Sequence, residues 1–125
     1  MEPDTEVIIN AQIEQTEIGF YNGFSMTCWL MLRWEGAGQG FGGYCFDRHG
    51  PNGANGERVG TAYGCEFIRR ILRTLEAERW EDLKGMYLRV RKVSAYGDII
   101  GIGHILNDKW FCPKADLAHL AKEGN

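Results

Sequence analysis

The chain has 125 residues, the size of one domain, and its 17 acids exceed its 14 Lys and Arg, for a net charge of −3. That balance argues against duplex nucleic acid as a partner, since duplex binding rests on many neutralised phosphates. A 44% apolar fraction with four Trp, five Tyr and six Phe can build a core, which excludes a disordered chain.

The first predicted element is a strand over residues 6–20, in which Val7, Ile9, Ala11 and Ile13 alternate with Ile8, Asn10, Gln12 and Glu14. Tyr21-Asn22-Gly23 reads as a tight hairpin turn, because Asn-Gly supplies positive φ angles. From Phe24 a second strand puts Phe24, Met26, Cys28, Leu30, Leu32 and Trp34 on one face and Ser25, Thr27, Trp29, Met31 and Arg33 on the other. Trp29 and Met31 on that second face suggest a subunit contact or a covering helix. The run from Gly36 to Tyr44 is dense in glycine and leads into Cys45-Phe46. Asp47 to Gly56 is polar and full of turn formers, so an exposed, mobile loop is expected.

A helix is predicted over Thr61–Glu78, with Thr61 as N-cap and a stripe of Phe67, Ile68, Ile71, Leu72 and Leu75. Trp80 to Leu83 reads as a short helical turn ending at Gly85. Met86, Leu88 and Val90 then alternate with Tyr87, Arg89 and Arg91 in a strand. Ile100, Ile102, His104 and Leu106 form a second alternation, with Gly101 and Gly103 opposite. A weak helix over Lys114–Lys122 closes the chain. The expected fold is α+β over residues 1–125: a single domain with an antiparallel sheet, one main helix packed on a face, and a short C-terminal helix.

Local composition adds to this. Ten of the 17 glycines lie between Gly36 and Gly64, and residues 1–32 hold five acids and no Lys or Arg. Between Arg58 and Lys92 there are nine bases to five acids, so a small anion finds positive charge there despite the acidic total. The N-terminus shows no hydrophobic signal core, and no apolar run is long enough for a membrane span, so a cytoplasmic protein is expected. Cys28, Cys45, Cys65 and Cys112 form no CxxC pair and are expected as reduced thiols, with Cys28 and Cys45 in the core.

Three segments carry candidate chemistry. Gly38, Gln39, Gly40 and Phe41, with Tyr44 beyond, lack the following helix of a dinucleotide fingerprint and the Lys of a phosphate-binding loop. What remains is either a backbone that cradles a phosphate beside a stacking ring, or a kinked strand in a tightly packed assembly. Arg58 and Thr61 enter the helix, where free amides and a guanidinium suit an anion. Little packing is expected to depend on Arg58. Tyr87, Arg89 and Arg91 project together from one strand face, near Asn107, Lys109 and Trp110 on an expected turn. They make either a fork for a pyrophosphate or ordinary surface charges. His49, His104 and His119 show no ligand spacing, with His104 read as a satisfied core or interface histidine. No acid–base pair or zinc set assembles, so neither a catalytic residue, a metal nor a cofactor is expected.

Taken in order, Gly38-Gln39-Gly40-Phe41-Gly42-Gly43-Tyr44, Gly60-Thr61-Ala62-Tyr63-Gly64-Cys65-Glu66-Phe67-Ile68-Arg69, Trp80-Glu81-Asp82-Leu83-Lys84-Gly85, and Ile102-Gly103-His104-Ile105 with Trp110-Phe111 resemble the first described family of phage proteins that block the bacterial Thoeris defence. The resemblance spans roughly residues 5 to 113. It implies a non-enzymatic sponge in the bacterial host cytoplasm that sequesters cyclic ADP-ribose isomers, in some members also cyclic trinucleotides, and assembles as a homo-oligomeric dimer or hexamer. It would assign the glycine segment with Arg58 to cyclic-nucleotide phosphates between subunits. The Tyr87, Arg89, Arg91 face with Asn107 to Trp110 would then be the ADP-ribose pocket. Two other classes stand beside it: a phosphodiesterase-like nucleotide-processing enzyme, and an inhibitor that masks a host enzyme through Trp29, Met31 and its loops.

Overall fold

A computed structural model describes residues 5–21, 23–51 and 57–121. Its centre is β1 (Val7–Phe20), long enough to serve two neighbours in turn. The N-terminal half, Val7 to Gln12, pairs antiparallel with β6 (Tyr87–Lys92), and the C-terminal half, Gln12 to Phe20, pairs with β2 (Met26–Trp34). A bulge between Ile13 and Gln15 marks the change of partner. With β3 (Ala37–Gly42), β7 (Ile99–His104) and β8 (Trp110–Phe111), the antiparallel sheet reads β3-β2-β1-β6-β7-β8.

One face of this sheet is the core. The predicted inward residues Ala11, Ile13, Cys28, Leu30 and Leu32 are all buried, together with Leu88, Val90 and Ile102. The helix α1 (Ala62–Leu75) lies across them, burying Phe67, Ile71 and Leu75 from its predicted stripe. Phe67 is the hub: its ring lies 5.0 to 5.9 Å from those of Tyr44, Phe46, Phe111 and Phe41. Thr61 caps the helix as expected, its Oγ1 accepting from the Gly64 N–H at 3.0 Å and donating to the Phe46 carbonyl at 2.9 Å. The chain is thus α+β, with the helix on one face and the other face bare of helix among the described residues.

Several local expectations change. The supposed loop contains a strand: β4 (Asp47–His49) pairs with β5 (Arg58–Gly60) in a separate ribbon, while residues 52–56 lie outside the described residues. The hairpin turn keeps its positive φ at Gly23 (74°), and Asn22 also falls outside the described residues. Cys28 is in the core, where burial pushes its thiol pKa up to about 12. Cys45 is exposed instead, because the backbone leaves the sheet after Gly42 and turns Phe46 inward. Leu106 is also exposed, since β7 ends at His104 and the alternation stops there. Trp80–Asp82 forms a 3-10 turn, and the C-terminal segment splits into α2 (Pro113–Asp116) and α3 (Ala118–Ala121). No helix is long and apolar enough to cross a membrane among the described residues.

Candidate functional site

The bare face of the sheet gathers Tyr87, Arg89, Arg91 and Trp110 of the third predicted segment, while Asn107 and Lys109 turn to Glu76 at the end of the core-side helix. Arg89 stands opposite Asn10 on β1 and Gly103 on β7, and Arg91 opposite Ile8 and Gly101. Gly103 is in turn opposite Trp110. A Cβ on Gly103 would lie 2.6 Å from the indole, so glycine is what lets Trp110 lie down on the sheet. There the ring meets both guanidiniums, with Arg89 Cζ 4.7 Å and Arg91 Cζ 4.3 Å from a ring centroid. An aromatic plate flanked by two cations results.

Hydrogen bonds hold the plate in place. Arg89 Nε donates to the His104 carbonyl at 2.7 Å and Nη2 to the Asn107 carbonyl at 2.8 Å, so this guanidinium also staples the β7–β8 turn. Arg91 Nη1 contacts Cys112 Sγ at 3.6 Å. Its buried Nε lies 3.5 Å from Glu6 Oε1 and makes no hydrogen bond among the described residues. Asn107 and Lys109 both bind one carboxylate: Glu76 Oε2 accepts from Asn107 Nδ2 at 2.7 Å and pairs with Lys109 Nζ at 2.8 Å. Those bonds, with the nearby His104, hold the Glu76 carboxyl below the usual glutamate range. His104 is satisfied: Nδ1 accepts from the Leu106 and Asn107 amides at 3.1 and 2.9 Å, and Nε2 lies 3.5 Å from Glu76 Oε1.

A cleft of about 430 Å³ opens beside the plate, lined by Asn10, Gln12, Arg33, Glu35, Gly36 and Tyr87 among others. That volume lies within the range of small-molecule sites. Asn10 links cleft and plate, because it lines the first and stands in register with Arg89 of the second. The plate thus offers a flat aromatic surface with two cations, and the cleft, lined by Asn10 and Gln12 on the neighbouring strand together with the core-side Ala11 and Trp34, offers amide groups. The chemistry suits a ligand that is both anionic and planar.

The other two segments are placed differently. Gly38, Gln39 and Gly40 belong to β3, paired with Arg33, Leu32 and Met31 of β2. Phe41 points into the core, 2% exposed, where a ligand does not reach it. The glycines here serve another ring: a Cβ on Gly40 or Gly43 would lie 2.9 or 2.5 Å from the indole of Trp29, which packs over them. Arg58 is bound rather than free of packing. Its Nε and Nη2 donate to Asp47 Oδ1 at 3.2 and 2.9 Å, and its guanidinium lies 4.6 Å over the Phe24 ring. Asp47 is 5% exposed. Burial raises its pKa, but bonds from Arg58, the Met26 amide and Cys45 outweigh that and hold it below the usual aspartate range. No hydrogen bond or ion pair joins Gly38–Phe41 to Arg58 or Thr61 among the described residues.

Sequence reasoning missed Glu76, Asn10 and Gln12. Asn10 and Gln12 carried a signal, since they lie on the strand face opposite the apolar alternation. Glu76 carried none: it takes the left-handed C-cap position (φ 57°, ψ 42°) usually held by glycine. No three His, Cys, Asp or Glu residues come together as a metal site among the described residues. Compared with known protein families, curated proteins and solved structures, the chain gives no match.

Proposed function

We propose that the protein binds and sequesters a small nucleotide signal on the bare sheet face, as its sequence resemblance to Thoeris anti-defence sponges implies. The observation that carries the reading is the Trp110 indole with the Arg89 and Arg91 guanidiniums over it, and a cleft lined by Asn10 and Gln12 on the neighbouring strand. An adenine ring stacks on an aromatic plate, and a pyrophosphate takes charge-assisted bonds from guanidinium groups. A cyclic ADP-ribose isomer presents both features. Arg58 and Phe41 are engaged in packing and have no part in this proposal.

Sequestration without turnover fits the titratable groups nearby. His104 and Glu76 stand as a pair with Nε2 3.5 Å from Oε1, but His104 Nδ1 already accepts two amide bonds and Glu76 is held by Asn107 and Lys109, so the pair fixes the β7–β8 turn. The same face carries exposed Ile8, Met31 and Tyr87, which a second copy laid upon it would bury. A homo-oligomer with ligand near its interface follows from this reading.

The test is calorimetric titration with cyclic ADP-ribose isomers. Tyr87 is exposed, so Tyr87→Ala is expected to weaken binding about tenfold while leaving the melting temperature unchanged. Arg91→Lys is expected to recover only part of the affinity lost in Arg91→Ala, because a point charge does not replace the planar fork. Wild-type affinity in Tyr87→Ala and Arg91→Ala would remove the site from this face.

A further inference from the structure

A different edge of the molecule has been left open. Beyond the bulge, β6 no longer accompanies β1, so residues 14–20 have β2 on one side and no strand on the other among the described residues. In an antiparallel ladder, alternate residues then direct their N–H and C=O groups outward. Open edges are normally blunted by Lys, Pro or a covering element. This one carries no Lys, Arg or Pro, and it exposes Ile18 at 45% and Phe20 at 67%, with Tyr21 and Phe24 also exposed.

Charge limits what can occupy it. The only charged residues in 14–20 are Glu14 and Glu17, and no Lys or Arg occurs before Arg33. Glu14 is paired with Arg33 at 2.7 Å, whereas Glu17 has no ion pair or hydrogen bond among the described residues. Glu17 stands opposite Trp29 and lines a cleft of about 170 Å³ with Ile18, Gly19, Phe20, Tyr21 and Thr27. The Tyr21 and Trp29 rings, 5.7 Å apart, form its aromatic wall. The cleft is too small for a nucleotide but matches one side-chain head group beside a carboxylate and two rings, a setting that favours a cation. Two copies of this edge paired with each other would bring Glu17 carboxylates together with no cation between them, which is unfavourable.

We infer that the open edge of β1 is a docking strand for an extended, basic segment of a partner protein, which adds to the sheet and places a Lys or Arg beside Glu17. Main-chain bonds along the edge would supply affinity, and the cleft would supply selectivity for a cation. This inference does not depend on the nucleotide reading.

Fluorescence anisotropy of the full chain with two labelled hexapeptides tests it, one alternating Lys and Val, the other Glu and Val. The Lys peptide is expected to bind at least about tenfold more tightly. Glu17→Gln should raise its Kd about tenfold, while Glu6→Gln, just before the opposite end of β1 and equal in charge change, should not. Amide exchange should slow at residues 14–20 when the Lys peptide binds. If Glu17→Gln misfolds, Ile18→Lys serves as the second variant and should abolish binding. Failure of the Lys peptide to bind, equal binding of both peptides, or protection elsewhere would overturn the inference. So would a dimer by light scattering whose 14–20 amides are protected without peptide, because the edge would then belong to a second copy.

Discussion

At the residue scale, two carboxylates hold distant pieces of chain together. Asp47 joins β4, β5 and the start of β2 through Arg58 and the Met26 amide. Its folded pKa lies below its unfolded value, so its contribution to stability is complete above the ordinary aspartate range, about pH 4. That contribution is lost as pH falls through the lowered folded value. Asp47→Asn is therefore expected to lower the melting temperature by several degrees at pH 7 and to flatten the acid limb of a stability–pH curve. Arg58→Ala should show the same loss at pH 7 with nucleotide affinity unchanged, as thermal melts and titrations would show. Glu76 combines two opposing effects, a left-handed backbone and three polar neighbours. Glu76→Ala keeps the unfavourable backbone and loses the neighbours, whereas Glu76→Gly relaxes the backbone. The glycine variant should melt above the alanine variant; the reverse order would show that the left-handed position carries no strain.

At the element scale, glycine is placed where a tryptophan lies flat. Gly103→Ala puts a Cβ 2.6 Å from the Trp110 ring and should tilt the indole off the sheet. The expected cost is roughly 1–3 kcal/mol of stability, as for other overpacking changes, together with loss of nucleotide binding. Gly60→Ala is the control, since its added Cβ meets nothing within 4 Å. Equal melting temperatures for the two variants would contradict the close approach. These placements explain what could be read from the sequence. β1, β2 and α1 were legible because each repeats its apolar period several times against one core face. The three-residue strands β4 and β5 were not, since neither is long enough to show a period and both lie in polar, glycine-rich sequence. The sequence leaves Arg58 without a visible partner, because Asp47 stands 11 residues away in a polar, glycine-rich segment. Of the candidate site, Tyr87, Arg89 and Arg91 were visible as a strand face, but the plate they form with Trp110 depends on β7–β8 register, which no local pattern records.

At the scale of the whole molecule, the sheet divides the protein by chemistry. One face is an aromatic core centred on Phe67, and Phe67→Ala should cost about 3–5 kcal/mol in denaturant unfolding, a large part of the stability of a domain this size. The other face holds Trp110, its two arginines and the cleft, built on the same strands and so kept rigid by the core beneath. On the proposed reading this face captures a nucleotide and leaves it intact. The most direct measurement incubates the purified protein with a cyclic ADP-ribose isomer, removes unbound ligand, denatures the complex by heat, and analyses what is released by chromatography. The isomer is expected to be recovered unchanged in fixed proportion to protein, and Trp110→Ala is expected to retain none. Release of a cleaved product, or equal retention by Trp110→Ala, would contradict it.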